Sequence, residues 1–390
     1  MNTSRGPIYT PVELLARLIA FDTTSHRNNL GIVAFIEDYL LQHGVTSRRV
    51  VSADGEKASL FATIGPAVEG GVALSGHTDV VPVVGQTWTS DPFTMRAADG
   101  RLYGRGTADM KGFIAAVLAS VPDFNARNLK TPIHLAFSYD EEIGCIGVRP
   151  MLAEFSRTLP KPRMVIVGEP TSMQVVDAHK GPVRWQVDIK GRAAHSSMAP
   201  LGVNAITYAA RLITELERIE AKLKRDPRDT RFDPPYATLQ VTKLEGGTAS
   251  NIIPINAVFG FEIRALPGLD PDVIERELRA FAENVCLPEM RATAPEADIV
   301  ITRTNMVPPF GADPASDVVA LALKLSGQNE TYTVSYATEA GLFQDAGAPA
   351  VVCGPGDIAQ AHTADEWIAE SEIAKCMTFL RRLGEWAETA

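Results

Sequence analysis

The chain of 390 residues has only four cysteines, Cys145, Cys286, Cys353 and Cys376, and no CxxC pair. That usage implies reduced, mostly structural thiols in a reducing compartment. No apolar run approaches the roughly 20 residues needed to span a bilayer. The opening stretch MNTSRGPIYTPVELLARLIAF lacks the apolar core and small-residue cleavage site of a signal peptide. Positive charge is short as well: 37 Lys and Arg face 47 Asp and Glu, a formal net charge of −10, with no basic stripe. That balance argues against nucleic acid as a partner. Internal repeats and low-complexity tracts are absent too. What remains is the expectation of a cytoplasmic, soluble enzyme.

Hydrophobic residues make up 45% of the chain and charged residues 22%, enough for a sizeable core. The length suits two domains, one of them split. Thr10-Pro11-Val12-Glu13 reads as a capping box with proline at the first helical position, so a helix is expected to about residue 21. A second is expected over 32–42. Strand-length apolar runs at 59–64, 72–75, 133–137 and 164–167 are interleaved with helical segments such as 113–119 and 148–155. This is the pattern of an α/β fold with an at least partly parallel sheet. Near residue 180 the texture changes to strand, helix, two strands, helix, where Val183, Trp185, Val187 and Ile189 alternate with polar residues. A compact α+β domain is expected at 180–290, inserted between catalytic parts at 1–179 and 291–390.

Five short segments concentrate ligand-type residues, four of them at the ends of expected strands or in the loops that follow. That edge of an open α/β sheet is where ligands bind. SGHTDVVP carries His77 and Asp79 two apart; alternate residues of an extended segment point the same way, so Asp79 can stand behind His77 and fix its tautomer. Taken alone, HTD also suits a surface turn. In LYGRGTADMKGF, glycines bracket Asp109, but the spacing matches neither GxxxxGK(S/T) nor GxGxxG and a central Asp would repel phosphate; a cation suits it better. FSYDEEIG ends an apolar run with Asp140, Glu141 and Glu142, VIVGEPT carries Glu169, and GPGDIAQAHTADEW carries His362. Any one of these taken singly is more readily a solvated or capping residue than a ligand. Together they offer two imidazoles and four carboxylates without cysteine, a set favouring Zn²⁺ or a similar divalent ion. A carboxylate can also bridge two metals.

SGHTDVVP, GRGTADMKGF, SYDEEIG and GEPT, followed by GPG and AHTADE, resemble in order the M20 metallopeptidase family of aminoacylases, carboxypeptidases and deacetylases. The likeness spans nearly the whole chain. It implies a zinc-peptidase-like catalytic domain with a mixed central sheet, interrupted by a smaller α+β lid domain through which two copies dimerise. Carried over by motif position, it implies two Zn²⁺ per subunit, with Co²⁺ able to substitute. His77 and Glu169 would hold one, Glu142 and His362 the other, and Asp109 would bridge them. Glu141 would be the general base acting on a water between the metals. A cis peptide at Asp109–Met110 is implied as well. GRAAHSS resembles the family's histidine motif, which implies that His195 helps hold the oxyanion in the partner subunit's site. EGGTASNIIP and FEIRALPG resemble two further segments, in which Asn251 and Arg264 would bind the substrate near its α-carboxylate; a structural ion pair is the alternative for Arg264.

Within the family, residues 336–368, with TEAGLFQ, and the early LIAFDTTSHRNNLGIVAFIEDYL resemble the acetylornithine deacetylases. This implies a small-molecule substrate, N²-acetyl-L-ornithine, and a place in arginine biosynthesis. Glu339 would then meet the substrate's amine, although a helix-start glutamate without a ligand role suits the position equally. Ala108 stands where many such deacetylases carry cysteine. A desuccinylase-like or broad aminoacylase activity, or a dipeptidase activity, is the alternative for the same site.

Overall fold

The structure, a computed structural model, describes residues 6–225 and 228–390. The first five residues of the stretch read for a signal peptide lie outside the described residues. So do Asp226 and Pro227, which open the Pro-rich loop DPRDTRFDPP. Among the described residues no helix is long and apolar enough to cross a membrane. All four cysteines are free and buried.

Ten of the strands among the described residues carry the two main sheets. In chain order they are β1 (Ser47–Val51), β2 (Ala58–Ile64), β3 (Val72–His77), β4 (Ile133–Ser138), β5 (Met164–Pro170), β6 (Gly181–Lys190), β7 (Thr238–Gly246), β8 (Asn256–Ala265), β9 (Asp298–Met306) and β10 (Ala350–Gly354). They belong to two compact units. The larger comprises the chain up to Ala178, Gly311–Tyr332 and Thr338–Ala390; the smaller comprises His179–Phe310 and Thr333–Ala337.

In the larger unit the central strands lie in the order β1-β2-β4-β3-β5-β10. β1, β2 and β4 pair antiparallel, whereas β4, β3, β5 and β10 run parallel, so the fold is α/β with a mixed central sheet. β3, β4 and β5 are buried along their whole length. That is why their sequences are continuous apolar runs rather than alternating ones. The register then decides where the chemistry goes. Val72 pairs with both Ile133 and Met164, and His77 stands beside Ser138. Glu169 follows two residues after Val167, which pairs with Ser75. Parallel strands in this register deliver their C-terminal residues to one edge.

Helix Gly112–Ala126 is buried through Phe113, Ile114, Val117, Leu118 and Val121, and packs on helices Pro11–Ile19 and Glu370–Ala387. Its first aromatic ring sets a local demand. A Cβ on Gly168 would sit 2.1–2.4 Å from ring atoms of Phe113, so only glycine lets β5 pass the ring just before Glu169. Thr10 opens the first helix as expected: its hydroxyl accepts the Glu13 N–H at 3.2 Å, and the Glu13 carboxylate accepts the Thr10 N–H at 2.8 Å.

The smaller unit is an antiparallel sheet in the order β7-β8-β6-β9. Val183, Trp185, Val187 and Ile189 of β6 are buried on the face covered by helices Ala205–Leu223 and Asp272–Phe281. Trp185 stacks on Phe261 with centroids 4.9 Å apart, and its indole N–H donates to Glu275 at 2.9 Å. This unit does not end near residue 290, where the sequence reading closes it. β9 is a fourth strand of its sheet, with Ile299 and Ile301 buried and Val300 exposed between them, and the unit continues to Phe310. That alternation marks a sheet with one covered face, not a return to the α/β layer.

Candidate active site

The C-terminal edge of β3, β4 and β5 gathers a ring of carboxylates and imidazoles. His77 ends β3 and is buried; its Nε2 lies 3.0 Å from Oδ1 of Asp109 and 3.5 Å from Oε1 of Glu169. The other oxygen of Asp109, Oδ2, lies 3.2 Å from Nε2 of His362, and that nitrogen is 3.1 Å from Oε2 of Glu142. Asp109 thus turns one oxygen to each imidazole, with Glu169 beside the first and Glu142 beside the second. Ligand atoms of His77, Asp109 and Glu142 lie within 4.8 Å of one another, as do those of His77, Glu141 and Glu169. Glu141 joins the second group, so proximity alone does not separate a base from ligands.

Asp79 works differently from the sequence expectation. Nδ1 of His77 is 2.9 Å from the Asp79 main-chain oxygen but 3.5 Å from its carboxylate. The carbonyl, more than the side chain, fixes the tautomer that leaves Nε2 facing the carboxylates. The Asp79 carboxylate instead accepts the N–H of Glu141 at 3.1 Å, the N–H of Glu142 at 3.3 Å and the Ser25 hydroxyl at 2.8 Å. It clamps the loop carrying both glutamates. The first acid of that loop, Asp140, is paired with Lys57 Nζ at 2.5 Å, and the same ammonium donates to the Ser25 carbonyl. Lys57 lies 83 residues away in sequence and no motif signals it. Cys145 places its Sγ 3.4 Å from Oε1 of Glu141, donating to it.

The Asp109 loop has its own anchor. The Asp109–Met110 peptide is cis, as the family resemblance implies, and Gly106 enters the loop at φ +87°. Glu366, fully buried, accepts the N–H groups of Ala108 at 2.9 Å and Asp109 at 3.1 Å on Oε1. Its Oε2 takes the N–H of Gly106 at 3.0 Å and Nη1 of Arg105 at 2.6 Å. Both Glu366 and Arg105 stood in segments singled out from the sequence, but only the fold brings them together.

The electrostatics are those of a site short of positive charge. Burial, reinforced by Glu142, Glu339 and Asp109 against the pull of His77, raises Glu141 well above the usual carboxylate range. Burial and the charge of Asp109 likewise raise Glu169, and they push Glu142 up to about 7. Burial would raise Asp109 too, but hydrogen bonds from His362 and His77 outweigh it and hold Asp109 low. His362 is pushed up to about 10 by its contacts with Asp109 and Glu142. Burial would lower His77, yet Glu169, Asp109 and Asp79 carry it well above an ordinary imidazole. A cluster that favours protons on so many groups also favours multivalent cations in their stead.

The remaining sequence candidates divide. Glu339 is 1% exposed; Oε1 accepts the Ser138 hydroxyl at 2.5 Å and Oε2 the Ser75 hydroxyl at 3.2 Å, and burial pushes its pKa up to about 7. It is turned inward, as suits the helix-start glutamate without a ligand role that the sequence holds open beside the substrate-binding expectation. Arg264 forms the alternative ion pair, its Nε donating to Glu262 at 2.7 Å, while Arg184 takes the other oxygen of Glu262 at 2.5 Å. His195 is exposed on the smaller unit. Its Nδ1 accepts the Ser197 N–H at 3.2 Å and lies 2.7 Å from the Ser197 hydroxyl, so the neutral ring carries its proton on Nε2. Asn251, also exposed, accepts the Ser196 N–H on its main-chain oxygen at 2.9 Å.

Comparison with known proteins gives three findings. The sequence profile of peptidase family M20/M25/M40 matches residues 73–385. An acetylornithine deacetylase of Myxococcus xanthus is 35% identical over 373 residues, covering 94% of this chain and 95% of that protein. Two solved structures share the fold. One is an M20 family metallo-carboxypeptidase from Sulfolobus solfataricus, with TM-score 0.77, 19% identity and 98% and 100% of the two chains covered. The other is a dinuclear metal-binding M20 peptidase from Bacillus subtilis, with TM-score 0.69, 16% identity and 96% of each chain covered.

Proposed function

The chain belongs to peptidase family M20/M25/M40 and is a hydrolase of that family, and we propose that it removes the acetyl group from N²-acetyl-L-ornithine with two divalent metal ions, Zn²⁺ in the first instance. One observation carries the dinuclear part: the two oxygens of Asp109 face different imidazoles, each with its own glutamate alongside. The donor chemistry fits, being imidazole nitrogen and carboxylate oxygen without thiolate. His77 and Glu169 would hold one ion, His362 and Glu142 the other, with Asp109 shared. Such ions polarise an acyl carbonyl and lower the pKa of water.

The residues of the chain do the rest. Glu141 takes the proton of the attacking water and returns it to the leaving amine. Its main-chain N–H is fixed by Asp79 and its Oε1 accepts Cys145 Sγ–H, so the carboxylate is oriented before substrate arrives. His195, with its proton on Nε2, donates to the carbonyl oxygen as negative charge builds there. That histidine would act on the site of a second copy in a homodimer. Exposed Met198, Leu201, Ile252 and Ile255 on the same unit support a protein contact there. Asn251 and Arg264 remain the candidates for the substrate carboxylate, Arg264 by its guanidinium beyond the Glu262 contact.

The acetylornithine assignment rests on the 35% identical relative and on the segment 336–368. Turnover of a panel of N-acetyl and N-succinyl amino acids and dipeptides, with metal analysis of the same preparation, tests it. Preference for acetylornithine is expected. Preference for acetylmethionine, a succinyl substrate or a dipeptide would replace the narrow assignment with the matching family activity. For His195, mixing His195→Ala with an Asp109→Ala variant should restore activity; no recovery after demonstrated subunit exchange would rule out a histidine acting on the partner.

A further inference from the structure

Four of the five proposed ligands are fixed by burial, with side-chain exposures of 1% for His77, 7% for Asp109, 8% for Glu142 and 5% for Glu169. His362 is not: its side chain is 53% exposed. Packing therefore cannot hold it, and its main chain is in the left-handed region at φ +61°, which a non-glycine residue keeps only where its surroundings impose it. The loop carrying it must be tethered, and the tether is visible. Gln86 Nε2 donates to the His362 carbonyl at 2.7 Å. Gln86 Oε1 in turn accepts from Arg105 Nη2 at 2.7 Å and from the Trp88 indole N–H at 3.1 Å. Arg105 also donates to Glu366, four residues beyond His362, and that carboxylate accepts three N–H groups of the Asp109 loop.

We propose that Glu366, with Arg105 and Gln86, is a positioning unit that sets the distance between the bridging aspartate and the exposed histidine, and so determines the affinity of the second metal position. The inference rests on the dinuclear reading above. Asp109 and His362 come from segments 253 residues apart, and one buried carboxylate is hydrogen-bonded to the loop of the first and covalently continuous with the loop of the second. The chain spends a fully buried charge here without presenting it to the ring of ligands. An apolar residue at 366 would leave three amide N–H groups and Nη1 of the buried Arg105 unsatisfied. The Asp109 and His362 main chains would then be free to separate. His77 and Glu169, carried by strands in register, would stay where they are.

The test measures Zn²⁺ binding by competition with a chromophoric chelator, and the Co²⁺ absorption spectrum, on the full-length protein with no substrate present. In Glu366→Gln the amide cannot accept on both sides, and in Gln86→Leu the tether to the His362 carbonyl is lost while the Glu366–Arg105 pair remains. Gln86→Leu should keep the unfolding temperature of the parent within a few degrees in the metal-free state, whereas Glu366→Gln, which turns an NH2 toward main-chain N–H groups and weakens the pair with Arg105, should lower it further. Both should weaken the second Zn²⁺ by about 10–100-fold, as loss of groups that orient metal ligands does, and leave the first within about threefold. The Co²⁺ spectrum of the second equivalent should change, whereas that of the first should not. If Glu366→Gln fails to fold, Gln86→Leu decides alone. Unchanged affinity for both equivalents in Gln86→Leu overturns the proposal, as does equal weakening of both. A parent protein that binds no second Zn²⁺ would instead sink the dinuclear reading, so the two failures are distinct.

Discussion

Replacing Lys57 with methionine, which keeps the stem and removes the charge, should destabilise the larger unit by stranding Asp140. Lys57 and Asp140 are paired at 2.5 Å with side-chain exposures of 14% and 10%, and Asp140 is followed directly by the two glutamates. At an effective dielectric of 20, two unit charges about 4 Å apart interact by about 4 kcal/mol. Breaking a fully buried pair costs about 3–5 kcal/mol because the survivor is stranded. The residual exposure reduces that here to about 2–3 kcal/mol. In a unit of this size each kcal/mol moves the midpoint by about 2–4 °C, so Lys57→Met should lower the unfolding temperature of the larger unit by roughly 4–12 °C. The decisive measurement is the double-mutant cycle with Asp140→Asn, read by calorimetry. Asparagine tolerates the left-handed conformation that Asp140 adopts at φ +53°, and it removes the stranded charge. Lys57→Met/Asp140→Asn should therefore recover more than half of the loss seen in Lys57→Met. If the double variant is as unstable as the sum of the singles, the pair is not what holds this loop, and the reasoning fails.

Three further outcomes follow from the same geometry. Glu141→Gln should keep both metal equivalents while turnover falls by about 10²–10⁴-fold, whereas Glu142→Gln should lose metal; metal analysis of the two purified variants separates base from ligand, and zinc loss in the first would reverse the assignment. Gly168→Ala would drive a methyl into the Phe113 ring, and it should destabilise the larger unit by at least about 1–3 kcal/mol, with Phe113→Leu in the same chain restoring part of it in urea titrations. Glu275 in the smaller unit is raised by burial but lowered more by bonds from Trp185, Arg279 and Arg303, to about 2. Its pKa is thus depressed on folding, so its contribution is complete above the unfolded value near 4.5 and is lost as pH falls toward 2. Acid titration of stability should be shallower in Glu275→Gln across that window, and an unchanged slope would contradict it.

Much of the site was legible because its residues sit in short, composition-marked segments at the ends of apolar runs. His77, Asp109, Glu141, Glu142, Glu169 and His362 could all be named that way, since parallel strands deposit their C-terminal residues on one edge. The supporting residues were not legible. Lys57 lies in a strand approach with no motif, and its partner Asp140 looked like part of an unneutralised acidic run. Glu366 and Arg105 lie within two of the ligand-bearing segments but show no task there, because a carboxylate that binds main-chain amides leaves no periodic trace. For Glu339 the sequence leaves two readings open, a contact for the substrate amine and a helix-start glutamate without a ligand role; the fold turns it inward onto Ser75 and Ser138.

The inserted unit illustrates the same division. Alternation in Val183–Ile189 was enough to announce a sheet with one covered face. The equivalent alternation in β9 was assigned to the returning layer instead, because pairing with β6 is a contact between strands more than a hundred residues apart. The sequence by itself determined the element types, the α/β layer, the family and the set of ligand-type residues, since these depend on local propensity, hydrophobic period and short motifs. Only the tertiary structure decided which oxygen of Asp109 meets which imidazole, which cation neutralises Asp140, and what holds the exposed His362. Those are long-range pairings between buried polar groups, and each exists because burial leaves such a group costly until a partner reaches it.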